Sequence, residues 1–88
     1  MAAYQIAFTP AARRQLATPD PPTRRRIARP IEALGTDPRP PGAEMLRGGE
    51  GELRIHVGDW RVIYVVHDDE LLVLVIKIGH RGEVYRTR

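Results

Sequence analysis

Strict alternation opens the chain. Tyr4-Gln5-Ile6-Ala7-Phe8 predicts a short strand. Thr9-Pro10 then predicts a helix start, with Thr9 as N-cap and Pro10 in the first helical position. That helix runs to about Ala17 and turns Ala12 and Leu16 inward. Pro19-Asp20-Pro21-Pro22 breaks it, and Asp20 or Thr23 caps a second helix that runs to Leu34. Ile27, Ile31 and Leu34 fall at i, i+4 and i+7, one apolar stripe, with Gly35 at the C′ position. Pro30 conflicts with this helix, because it removes a hydrogen bond and crowds the carbonyl of Arg26, and it predicts a kink or a helix in two pieces.

The period changes after residue 52. Residues 35–52 are rich in proline and glycine and predict a long connection that Met45 and Leu46 pin to the core. LRIHV (residues 53–57) alternates, Gly58-Asp59 fits a two-residue hairpin turn, and WRVIYVVH (residues 60–67) follows. Asp68-Asp69 turns the chain again into LLVLVIKI (residues 71–78), apolar on both faces as an interior strand should be. The order β-α-α-β-β-β makes residues 1–88 a single compact α+β domain, an antiparallel sheet packed against an N-terminal helical hairpin.

A Gly58-Asp59 turn fixes the register of the hairpin. Leu53, Ile55, Val57, Trp60, Val62 and Tyr64 share one face, and Arg54, His56 and Arg61 share the other. Carried on through an Asp68-Asp69 turn, the same register sets Arg61 opposite Ile76. The terminal segment GHRGEVYR then leaves the sheet at that end, within reach of the patch, and carries His80, Arg81 and Tyr85. A cation cluster with an imidazole and a phenol suits a phosphate.

Charge sharpens this picture only slightly. The net charge is +3, and Lys77 is the one lysine among 14 basic residues. Arginine grips phosphate through a planar fork, yet its excess here is also what a GC-rich genome produces. Arg24, Arg25, Arg26 and Arg29 form a basic helical face, either simply solvated or in contact with RNA phosphates or an acidic partner segment. The absence of cysteine excludes disulfide and thiolate chemistry, and the three histidines lack ligand spacing, so neither a metal site nor a cofactor is expected. No membrane span or signal segment is expected, which favours a cytoplasmic location.

FTPAARRQL, followed by EALGTDPRPPGAEMLRGGEGELRIHVGDWRVIYVVHDDELLVLVIKIGHRGEVYR, resembles the RelE/ParE superfamily of bacterial toxins, on its RelE side. The resemblance spans nearly the whole chain and implies a compact RelE-like domain. It implies an mRNA interferase of a type II toxin–antitoxin system, an endoribonuclease that cleaves mRNA in the ribosomal A site without a metal. By position it implies Arg54, His56, Arg61, Arg81 and Tyr85 as catalytic residues; beside them His80, Arg47 of the LRG turn, Arg24 and Arg25 are candidate RNA contacts on their own chemistry, with donation to a backbone carbonyl at the strand end as the other reading of His80. The best-known members have lysines where this chain has Arg54 and His56. The partners implied are a cognate RelB-like antitoxin, the ribosome and mRNA.

In such a reaction Arg61 and Arg81 cradle the phosphate, and Arg54 assists. The base is Tyr85 or His56: an imidazole titrates near neutral pH, whereas a phenol serves only where neighbouring cations favour phenolate. The acid is Arg81, His80 or His56, and Tyr85 has stacking on a base as its other role. Two competing readings share the fold: a ParE-like gyrase-inhibiting toxin, and a catalytically inactive binding or autoregulatory relative.

Overall fold

In the computed structural model, which describes residues 3–46, 48 and 51–81, the elements follow the predicted order with one addition. They are β1 (Gln5–Phe8), α1 (Pro10–Ala17), α2 (Pro21–Ala33), β2 (Glu44–Met45), β3 (Leu53–Val57), β4 (Trp60–His67) and β5 (Leu72–His80), with a 3-10 turn at Asp68–Glu70. The five strands form one sheet in the order β1-β5-β4-β3-β2. All neighbours are antiparallel except β1 and β5, whose parallel pairing the chain reaches by way of the helices and the hairpins.

Both helices lie against one face. Ala12 of α1 and Ile27 and Ile31 of α2 are buried with Leu53, Ile55, Val62, Tyr64, Val73, Val75 and Ile78 of the sheet. This is the alternation read from LRIHV and WRVIYVVH, and it leaves Arg54, His56 and Arg61 on the face without helices. Thr9 caps α1, accepting a bond from the Ala12 N–H at 3.1 Å. Asp20 stands at the N-cap of α2, although its side chain makes no capping bond. At Gly35, a Cβ would come within 3.0 Å of the Tyr4 carbonyl, which is why the chain leaves α2 through a glycine.

Three expectations change. Pro30 is accommodated inside a single helix, Pro21–Ala33, and does not divide it in two. Met45 does not pin the long connection to the core: it is 72% exposed. The connection is held by backbone pairing of β2 with β3 and by the buried Tyr64 hydroxyl, which donates to the Pro38 carbonyl at 2.8 Å. The third change concerns register. Asp68-Asp69 does not form a two-residue turn; four residues, 68–71, connect β4 to β5, with Leu71 in the left-handed region at φ 51°. A bulge then adds one residue to β5 at Ile76, between the pairs Tyr64↔Val75 and Ile63↔Lys77. Together the longer turn and the bulge move the partner of Arg61 from Ile76 to Gly79.

Helix α1 holds the bulge. The Thr9 hydroxyl donates to the Ile76 carbonyl at 3.0 Å, and the Gln15 side-chain oxygen accepts from the Ile78 N–H at 2.7 Å. These are backbone groups that a disrupted ladder leaves to find other partners. Gln15→Ala therefore strands a part-buried N–H and is expected to cost about 1–3 kcal/mol in urea unfolding. A loss below measurement error would show that the contact is incidental.

At the other end of the sheet, Arg39 forks onto Asp68 at 2.9 and 3.2 Å, and the Tyr4 hydroxyl donates to the same carboxylate at 2.6 Å. Arg39, and then Tyr4, hold the Asp68 carboxyl down at about 2. Its unfolded value is about 3.9, so this contribution to stability is complete above that pH and is lost as pH falls towards 2. Asp68→Asn is expected to lower the thermal midpoint at neutral pH. The gap from the parent should close between pH 4 and pH 2, as followed by circular dichroism, and a gap constant with pH would contradict the clasp.

Candidate functional site

The face without helices is apolar along its middle and basic at one end. Ile63, Val65 and Leu74 are half-buried there. Towards the β3–β4 turn come Arg54, His56 and Arg61. The hairpin register is the expected one, with His56 directly opposite Arg61 and Arg54 opposite Ile63. Gly58, at φ 60°, makes this turn possible.

On the other side of Arg61 stands Gly79, which is buried and contributes no side chain. Arg61 thus has His56 opposite it on one flank and the backbone of Gly79 on the other. A glycine near the end of β5 makes sense in this position: any other residue there projects onto the face that carries the arginines. Arg81 follows two residues later, and its N–H donates to the Asp59 carbonyl at 2.7 Å, which ties the end of β5 to the β3–β4 turn. The fold thus brings Arg54, His56, Arg61 and the start of the Arg81 side chain to one end of the sheet.

His80 does not join them. It pairs with Trp60 in register, and the two rings meet edge to face with centroids 5.5 Å apart, on the side that bears the helices. The sequence placed His80 near the patch because the bulge, which sets its side of the sheet, leaves no signal in the pattern. Arg24 is also drawn elsewhere: it donates to the Pro19 and Ala17 carbonyls at 3.0 and 3.3 Å, closing the C-terminal end of α1. Arg25 is exposed on α2, which lies on the other face of the sheet, while Arg26 lies against the Gly58 turn. Tyr85 and Arg47 lie outside the described residues.

One residue of the site escaped the sequence reading. Glu44, on β2, stands opposite Arg54 and accepts a hydrogen bond from it at 2.6 Å. The same carboxylate oxygen is 3.6 Å from His56 Nε2. Arg54 first, and His56 to a lesser degree, hold the Glu44 carboxyl below its ordinary value, so it remains an anion at neutral pH. A two-residue strand is too short to alternate, and nothing local announces its partner. Glu44 thus engages both basic groups of the patch. A proton on Nε2 facing this carboxylate leaves Nδ1 of His56 as the nitrogen with a free lone pair.

Similarity to known proteins agrees with this fold. The family model for the ParE toxin of type II toxin–antitoxin systems matches residues 6–85. Toxin RelG of Mycobacterium tuberculosis is 31% identical over 87 residues, covering 94% of this chain and 97% of that protein. Among solved structures, the M. tuberculosis toxin–antitoxin complex RelBE2 matches with a TM-score of 0.80 at 25% identity, over 93% of this chain and 95% of that one. The isolated Escherichia coli RelE toxin matches with a TM-score of 0.79 at 26% identity, over 96% and 93%. A helical hairpin on a five-stranded sheet of this shape is the RelE-type toxin fold. The chain belongs to the ParE toxin family of type II toxin–antitoxin systems, within the RelE/ParE superfamily.

If Glu44 competes with phosphate for Arg54, Glu44→Gln should tighten binding of a short single-stranded oligoribonucleotide by roughly 3- to 10-fold at low salt. Fluorescence anisotropy reads this directly. Weaker binding by the variant would show that the carboxylate serves the site only by holding Arg54 in place.

Proposed function

We propose that this toxin is a ribosome-dependent endoribonuclease that cleaves mRNA in the A site, using its own side chains for acid–base chemistry and charge stabilisation. The observation that carries this reading is the gathering of Arg54, His56 and Arg61 on one face, with Arg81 emerging beside them. The reaction needs a base for the 2′-OH and preorganised cations for a phosphorane-like transition state. The 2′-oxygen attacks phosphorus, and its proton passes to His56 or to Tyr85. Arg61 and Arg81 hold the non-bridging oxygens, with Arg54 beside them once the substrate displaces Glu44. The P–O5′ bond breaks, Arg81 offsets the charge on the leaving oxygen, and solvent supplies its proton. The products are a 2′,3′-cyclic phosphate and a 5′-hydroxyl end.

Solved relatives are toxin–antitoxin complexes, which supports a RelB-like antitoxin as the partner of this chain. Among the described residues no helix is long and apolar enough to cross a membrane, and a target on the ribosome requires a cytoplasmic location. A ParE-like action on gyrase is the second reading, supported by the family model.

Primer extension on an mRNA translated in a purified system separates the two. Cuts within A-site codons are expected only with ribosomes present, and Arg61→Ala or Arg81→Ala should each slow them by about 10²-fold or more. Intact mRNA at a toxin concentration that still arrests growth would overturn the nuclease reading in favour of gyrase.

A further inference from the structure

The face with the helices holds a second feature at the same end of the sheet. Between the last turn of α1 and the ends of β4 and β5 lies a groove of about 310 Å³, lined by Gln15, Thr18, Trp60, Ile78 and His80. This is the lower end of the size range of small-molecule sites, enough for one planar ring system. Trp60 and His80 form one wall, held edge to face, and Ile78 is fully buried beside them. The polar groups are partly committed. Gln15 spends its side-chain oxygen on the Ile78 N–H, which fixes its amide and leaves the NH2 as donor. Thr18 donates its hydroxyl to the Arg14 carbonyl at 3.0 Å and keeps an acceptor lone pair.

The groove adjoins the basic patch through the chain itself. Trp60 precedes Arg61 and His80 precedes Arg81, so each wall residue is bonded to a cation of the proposed phosphate cradle. Successive strand residues point to opposite faces, and both strands reach the end of the sheet here. A polyanion held by Arg61 and Arg81 thus has an aromatic-walled slot with one donor and one acceptor just round that end. Aromatic walls with a few fixed polar groups are how proteins hold unstacked bases of single-stranded RNA.

We propose that the Trp60–His80 groove binds a nucleobase, that of a nucleotide flanking the phosphate held by Arg61 and Arg81, and so contributes to the choice of cleavage site. The inference rests on the nuclease reading for its biological meaning, while the binding itself is measurable without ribosomes. Trp60 is the sole tryptophan of the chain, so its fluorescence reports on the groove alone.

The test titrates the full-length protein with adenosine, guanosine, cytidine and uridine, following Trp60 emission, with ribose 5-phosphate as the probe that lacks a base. Saturable quenching by at least one nucleoside, with a Kd on the order of 1 mM, is expected, and ribose 5-phosphate should leave the emission unchanged. Thr18→Arg, at an exposed position on the rim, should weaken quenching at least 10-fold while far-UV circular dichroism stays that of the parent. In the purified translation system the same variant should redistribute cuts among A-site codons. Quenching that ribose 5-phosphate reproduces, or that Thr18→Arg leaves intact, overturns the proposal. So does a groove that ignores nucleosides and responds only to an antitoxin peptide. Nucleoside binding without any mRNA cleavage would support the groove and count against the nuclease reading alone. Cleavage with no nucleoside response would do the reverse.

Discussion

The extra residue at Ile76 governs the division of the sheet into two unlike faces. If the pairing Tyr64↔Val75 continued without it, Val62 would face Lys77 and Arg61 would face Ile78. A lysine would then enter the core beside Val62, and an isoleucine would fill the space next to Arg61. With the bulge, Ile78 is buried opposite Val62, and Gly79, which carries no side chain, stands opposite Arg61. The ladder loses regular bonds at this point, and α1 restores them through Thr9 and Gln15. Helix α1 thus covers the core, and its N-cap Thr9 together with Gln15 holds the bulge that sets the register of the far face. Bulges gather near functional sites because they re-aim side chains in this way.

Charge on the helix-free face follows a similar economy. Among the described residues of that face Glu44 is the acid in contact with the patch, and it touches both Arg54 and His56. An unopposed cluster of arginines and a histidine would repel itself, and a carboxylate at its edge relieves that repulsion. The choice of arginine also matters: a planar fork orients a phosphate, where the lysines of better-known relatives offer a point charge. His56 brings an imidazole, which can accept as well as donate a hydrogen bond, where those relatives carry a lysine.

Much of this was readable from the chain. Thr9-Pro10, Pro21 and the Ile27-Ile31-Leu34 stripe mark the helices, and Gly58-Asp59 fixes which residues of β3 and β4 share a face, because a two-residue turn leaves no freedom of register. The remainder depends on long-range pairing. A bulge changes the face of every residue beyond it yet looks like uninterrupted apolar strand in LVLVIKI. Parallel pairing of β1 with β5 joins segments more than sixty residues apart. Glu44 reaches the site through a two-residue strand inside a proline-rich connection. Pro30 shows the opposite effect: a strong local signal against helix yields to Ile27 and Ile31 packed on the sheet.

The central claim is that the end of the helix-free face, framed by Gly79, is where RNA phosphate is held. It is tested most directly by backbone amide chemical-shift mapping with a short 2′-O-methyl oligoribonucleotide, which cannot be cleaved because its 2′-oxygen is blocked. The account predicts the largest perturbations at Arg54, His56, Arg61, Gly79 and Arg81, reaching round the sheet end to Trp60 and His80. Perturbations confined to Arg25 and Arg29 on α2, with the sheet silent, would contradict it.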